Sequence, residues 1–319
     1  MRKCMTIVAV VVAVMALACV SGAQADTIID LVQVGNPGNV NDTHGDGYGG
    51  VAYTYNIGKY EVTNNQYAEF LNAAAASDPY SLYSTSMGSG YGGITRSGSS
   101  PNYTYSAIAG RGNMPVNYVS WYDTLRFANW MHNSQGSGDT EDGAYNMALG
   151  SSVVRKPGAL VFLPTEDEWY KAAYYKSGGT NAGYWDYPTR SDNAPRAENP
   201  PGTEMINGSA NYAWIPGNLT DVGAYTAKPS DSAYGTFDQG GNLWEWNEAL
   251  VTGSSRVLRG GAFDYSASGL RAASRGYSVP TYEGDILGFR VAAVPEPSTI
   301  AMFALSGVVM LKKQGRSRR

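Results

Sequence analysis

Phe237-Asp-Gln-Gly-Gly-Asn-Leu-Trp-Glu-Trp246, then Arg259-Gly-Gly261, then Gly288-Phe-Arg-Val291: three short words stand in order in the last third of this 319-residue chain. Glycines beside Arg259 and Arg290 imply close backbone approach around buried guanidinium groups that bond to carbonyls. Both arginines read as organisers of loops rather than substrate contacts. Trp244 and Trp246 read as core rather than as a binding platform.

Upstream, three segments open with a helix-capping pattern. Thr63-x-x-Gln66 predicts a helix to Ala76, with Tyr67, Phe70 and Leu71 at helical spacing. Ser120-x-x-Asp123 predicts one to Asn133, with Leu125, Phe127, Trp130 and Met131 available for a core face. Thr165-x-x-Glu168 predicts one to Tyr175, with Trp169 and Ala172 or Ala173 inward. In each, the cap hydroxyl takes an orphan backbone N–H and the third-position side chain reaches back. Tyr53 to Val62 alternates as a strand, with a turn at Asn56 or Gly58. Residues 26–50 are Gly, Asn and Asp rich and read as a loop or loose edge. Ser84 to Tyr105 and Ser177 to Thr220 read as long irregular regions, which are usually functional or held by ions.

Three further words join the C-terminal set: Ile57-Gly-Lys-Tyr-Glu-Val-Thr63, Met114-Pro-Val-Asn-Tyr-Val-Ser-Trp121 and Leu163-Pro-Thr-Glu-Asp-Glu-Trp169. The six, in this order, make the chain resemble the formylglycine-generating-enzyme (sulfatase-modifying factor) family over about residues 53–293. The resemblance implies an α+β domain with that enzyme's fold, distantly C-type-lectin-like, in which short helices and strands alternate with much irregular loop.

The family's oxidase chemistry uses two cysteines that bind copper just after the RGG word. Here that stretch is Ala262-Phe-Asp-Tyr-Ser-Ala-Ser-Gly-Leu270, with Tyr265 near one expected position and no cysteine on to Arg275. Serine cannot replace a soft thiolate as a Cu(I) ligand, so copper and cysteine oxidation are not expected. A second branch of the superfamily holds iron with three histidines. This chain has two, His44 and His132, so iron is not expected either; each histidine reads as a solvated or capping residue. No catalytic residue is assigned. No Gly-rich phosphate loop stands at a strand-to-helix turn, and no serine has a recognisable triad histidine.

Calcium is the cofactor that the resemblance retains. One family site maps onto Asp238 and Glu245 through side chains and onto Gly241 and Leu243 through carbonyls. The other maps onto Asn211 (side chain) and Tyr212 (carbonyl), with further ligands between Asn218 and Asp221. A Gly-rich turn beside two carboxylates suits an ion that takes six to eight oxygens. The alternative is that Asp238 caps a turn and Glu245 pairs with an arginine.

Both ends read as processing signals. Arg2, Lys3, the apolar run Ile7–Val20 and Ala23-Gln-Ala25 form a secretory signal peptide over residues 1–25. The segment 294–319 carries Pro295-Glu-Pro297, an apolar run and five basic residues. It is similar to a PEP-CTERM sorting signal, which implies exosortase-type machinery and only transient membrane contact through this segment. The domain between, 26–293, keeps 16 of the 23 basic and 26 of the 27 acidic residues, a charge near −10. That excludes nucleic acid as a partner. Cys4 and Cys19 leave with the leader, so no disulfide or thiolate is expected in the domain.

These features predict an exported, calcium-stabilised module of a Gram-negative envelope or the extracellular space, with an unknown extracellular ligand or polymer. The competing readings are a formylglycine-generating oxidase acting on a sulfatase cysteine, or another activity in the same groove that uses Asp, Glu and Tyr.

Overall fold

A computed structural model describes residues 27–43, 47–251 and 253–295. The expected leader, the apolar and basic part of the tail, and His44 lie outside the described residues. In chain order the elements are β1 (Leu31–Val34), β2 (Tyr55–Gly58), α1 (Asn64–Ala74), β3 (Ile94–Ser97), β4 (Thr104–Ala107), α2 (Trp121–His132), β5 (Val161–Phe162), α3 (Glu166–Tyr174), β6 (Arg196–Ala197), β7 (Ser209–Ala210), β8 (Trp244–Leu250), β9 (Arg256–Arg259), β10 (Gly276–Ser278), β11 (Leu287–Gly288) and β12 (Ala292–Ala293). Among the described residues, no helix is long and apolar enough to cross a membrane.

All three helices start where the capping patterns place them. Thr63, Ser120 and Thr165 each accept the N3 backbone N–H, and Gln66, Asp123 and Glu168 each accept the cap's own N–H. Each reciprocal pair satisfies two of the four donors that a helix start leaves open. The helices bury the residues that their spacing selects. Tyr67 and Phe70 of α1 meet Phe127 and Trp130 of α2, and Phe289 closes the cluster, with ring centroids 5.3–6.5 Å apart.

Two four-stranded sheets frame this core. One runs β1-β2-β12-β5 and is antiparallel throughout; the other runs β10-β9-β8-β11, with β8 and β11 parallel. The GNLWEW word enters β8, RGG leaves β9, and GFRV joins β11 to β12. The three words therefore converge at the ends of neighbouring strands.

The strand expected over Tyr53–Val62 is shorter, at Tyr55–Gly58. Beyond Gly58 the carbonyls turn to other donors: Gly58 and Lys59 oxygens accept from Arg290 Nη1, and Lys59 O also accepts Phe237 N–H. The Ser84–Tyr105 segment contains a hairpin, β3–β4, that its composition conceals. Only Ile94 and Tyr105 of its strands are buried, too few to mark an alternation. Within residues 26–50, β1 forms the edge of the first sheet.

Candidate functional site

The site is organised by buried arginines. Two residues before Arg290, a Cβ on Gly288 would lie 2.8 Å from the carbonyl of Val116 and 2.6 Å from Leu243, so only glycine lets GFR lie against the GNLWEW loop. Its Nε and Nη2 each donate to Glu245 at 2.7 Å, and Nη2 also donates to Phe237 O at 2.8 Å. Glu245 further accepts from Trp169 Nε1 at 2.8 Å. Arg259 donates from Nε to Glu166 at 2.8 Å and from Nη1 to the carbonyls of Ala272 and Ser274. Both guanidinium groups are wholly buried. Every nitrogen of the Arg290 guanidinium donates to a carboxylate or carbonyl, while Arg259 Nη2 has the charge of Glu166 beside it but no aligned hydrogen bond.

The two stretches read as calcium loops lie side by side. Gly241 has φ +92°, and a Cβ there would stand 2.2 Å from the carbonyl of Asn211. Asn242 stitches the loops together. Its Oδ1 accepts from Asn211 Nδ2 and Thr220 N–H, both at 3.1 Å, and its Nδ2 donates to Glu61 at 3.0 Å. Asn211 Nδ2 also donates to Asn218 O at 2.9 Å. Asp238 accepts Gly223 N–H at 2.6 Å, and burial raises its pKa to about 6. Leu243 is fully buried, and Tyr212 donates its hydroxyl to Pro195 O at 2.6 Å.

Two residues join this region that the sequence did not single out: Asn242 and Glu61. Glu61 sits in the GKYEVT word, where a carboxylate one residue before an inward valine was an available signal. It is 1 % exposed, and its pKa lies well above the carboxylate range, through burial and then the charges of Glu245 and Asp238.

Glu245 pairs with Arg290 and Asp238 accepts Gly223 N–H, as the alternative reading has it; the oxygens left over around them are of the kind a hard cation takes. Glu61, Asp238 and Glu245 form a buried acidic group around one guanidinium, Arg290. Glu61 Oε1 and Asn211 Oδ1 are buried acceptors without a hydrogen-bond donor. In these loops the buried groups without a partner, Thr220 Oγ1 included, are oxygens, the chemistry calcium selects. Among the described residues no three His, Cys, Asp or Glu side chains are placed to hold a metal by themselves, so amide and backbone oxygens would complete any such site.

The stretch after RGG holds no thiol. Gly260 and Gly261 have φ +99° and +75°, and both approach neighbouring backbone within 2.9 Å of an added Cβ. They turn the chain out of β9 and project residues 262–275. Phe263 is buried, Tyr265 is 42 % exposed and packs edge-on to Trp244 at 5.2 Å, and Leu270 is buried in a short 3-10 turn. Arg271 pairs with Asp186 and Arg275 with Glu166. His132 accepts Leu160 N–H at 3.0 Å, a packing role at the end of α2.

Fold and words together define a domain of the sulfatase-modifying factor class. Residues 50–294 match the sulfatase-modifying factor enzyme 1-like domain, and the chain belongs to that family. It is 25% identical over 217 residues to the formylglycine-generating enzyme of Thermomonospora curvata and 26% identical to that of Streptomyces coelicolor. Each match covers 60% of this chain, and 59% and 56% of those enzymes. The chain thus spans less than two thirds of their length. It is also 26% identical over 201 residues to the inactive C-alpha-formylglycine-generating enzyme 2 of Bos taurus, covering 59% of this chain and 53% of that one. Among solved structures, the fold is similar to Treponema denticola variable protein 1 (TM-score 0.52, 21% identity, 83% of this chain and 95% of that one) and to CarF (TM-score 0.52, 21% identity, 85% and 100%).

Proposed function

We propose that this protein is an exported, calcium-stabilised sulfatase-modifying-factor domain without cysteine-oxidase activity, acting as a binding or structural module at the cell envelope or outside it. One observation carries the reading: the chain keeps the buried arginine and the glycine turn of RGG at residues 259–261, but residues 262–275 contain no sulfur. Relatives of similar identity that are named inactive are consistent with a fold that outlives its chemistry. The distant C-type-lectin-like kinship belongs to the same reading, since it describes a scaffold that presents loops.

The calcium part is supported by the orphan oxygens of Glu61 and Asn211 and by the buried acidity around Arg290. Bound in the two loops, calcium would add positive charge beside the buried carboxylates and stiffen the 211–221 and 238–245 segments that Asn242 already joins. Asp238, Glu245 and the carbonyls of Gly241 and Leu243 would hold one ion, with Glu245 shared with Arg290, and Asn211 with the carbonyl of Tyr212 would hold the other. Export rests on the leader-like residues 1–25, and sorting by an exosortase-type machinery on the Pro-Glu-Pro segment.

The test is direct. The purified protein is incubated with a cysteine-containing sulfatase-motif peptide, with and without copper, and the peptide is weighed by mass spectrometry. Unchanged cysteine is expected; formylglycine in either arm overturns the reading.

A further inference from the structure

Three arginines are buried among the described residues: Arg256, Arg259 and Arg290. Carboxylates hold two of them, Glu166 at Arg259 and Glu245 at Arg290. Arg256 forms no ion pair among the described residues. Its Nη1 and Nη2 donate to the carbonyls of Glu248 and Ser151, at 2.9 and 3.0 Å, and its Nε has no acceptor. Its guanidinium carbon stands 3.7 Å from the centre of the Trp121 ring. Burial, the largest influence, holds its pKa below the usual arginine value. A buried cation without a counter-ion is costly, and stacking on an indole offsets only part of that.

Arg256 and Trp121 line a cavity of about 110 Å³, bounded by the first turn of α2, by residues 153–155 and by the later part of β8. That is the liquid volume of about three or four waters, enough for a short organic acid. Val153 and Val154 add apolar lining, and Val154 is 68 % exposed. The other charged groups in the lining are spent on each other. Glu248 Oε1 accepts from Tyr145 Oη and from Arg155 Nε, the latter at 2.9 Å, and its Oε2 accepts Arg155 Nη2 at 2.9 Å. Arg155 also gives Nη1 and Nη2 to Glu168. Arg256 is the lining charge left over.

We propose that this cavity binds a small organic carboxylate, with its carboxylate on Arg256 and a short branched apolar tail against Trp121 and the two valines. A carboxylate matches the planar fork of a guanidinium and supplies the missing counter-charge. A neutral amide would leave that charge unmet, and an inorganic anion would leave the apolar lining bare. The cavity lies toward the Leu250 end of β8, whereas the stretch after RGG packs on Trp244 at the other end. The site is therefore separate from the calcium loops and from the position of the absent cysteines.

Isobutyrate and isobutyramide, close in shape but different in charge, are titrated into the purified protein by calorimetry, with tryptophan fluorescence as a second signal. Isobutyrate should bind about tenfold or more tightly than isobutyramide. Arg256→Met should remove that preference. Val154→Trp should fill the cavity and weaken isobutyrate by about tenfold or more. Val154 is mostly exposed, so its variant serves should Arg256→Met fail to fold. Equal binding of acid and amide, no binding of either, chloride competing as well as isobutyrate, or unchanged isobutyrate affinity in Val154→Trp overturns the inference. Those outcomes leave the binding-module reading intact, whereas formylglycine in the oxidation assay removes that reading and leaves this site standing.

Discussion

Glu245 and Arg290 face each other as a two-pronged ion pair, both wholly buried, with Nε and Nη2 of the arginine each 2.7 Å from a carboxylate oxygen. The pair joins β8 to the link between β11 and β12, and through Arg290 it also holds the carbonyls of Gly58 and Phe237. Removing one partner leaves an uncompensated charge in the core. Arg290→Met should cost about 3–5 kcal/mol in urea unfolding. The double variant Arg290→Met with Glu245→Met should recover part of that loss, since the stranded charge is then gone. A single variant no less stable than the double would show that the pair is not the organising contact.

Among the described glycines, Gly241 makes the tightest approach to another residue's backbone. Gly241→Ala must either leave φ +92° or push the carbonyl of Asn211, 2.2 Å from the new Cβ. A loss of about 3 kcal/mol or more is expected. Gly253 offers the control: its φ is +71° but nothing lies within 4 Å, so Gly253→Ala should cost only about 1 kcal/mol. Equal losses from the two would contradict the close approach.

Calcium should raise the melting temperature, because a ligand that binds only the folded state stabilises it, by about 2.7 kcal/mol at a hundredfold excess over Kd. For a domain of this size that corresponds to about 5–10 °C. Chelation should reverse it, and Asn211→Ala or Glu61→Gln should reduce the response. A melting curve indifferent to EDTA would remove support for the ion.

Asp123 gives a pH signature away from those loops. Burial raises its pKa to about 7, against stabilising bonds from Ser120. The folded state then holds the proton more tightly than the unfolded chain, whose aspartates titrate near 4. Stability from this group is present below about pH 4 and is lost as pH rises toward 7. Asp123→Asn keeps an acceptor for Ser120 N–H and should flatten the slope of stability between pH 4 and 7. An unchanged slope would assign it to other carboxylates.

The helices were legible because their determinants are local. A cap hydroxyl and its third-position partner lie within one turn, and Thr63, Ser120 and Thr165 each start a helix as read. The strand at Tyr53–Val62 was read too long because its end depends on Arg290, 232 residues from Gly58 in sequence. The β3–β4 hairpin was missed because two buried residues make no pattern. At the site, the structural parts of Arg259 and Arg290 were visible from the flanking glycines. Glu61 and Asn242 were not, since their importance lies in what they meet: Asn242 touches Asn211, Thr220 and Glu61, which are 31, 22 and 181 residues away in sequence.

By itself, the order of residues determined the family words, the three caps and the absence of sulfur after RGG, because each is a property of neighbours along the chain or of side-chain chemistry alone. Only the tertiary structure decided that Glu245 faces Arg290, that the two acidic loops adjoin through Asn242, and that Arg256 lies on Trp121. Those relations join residues tens to hundreds of positions apart, and burial sets their energetics by removing the water that would otherwise make each contact optional.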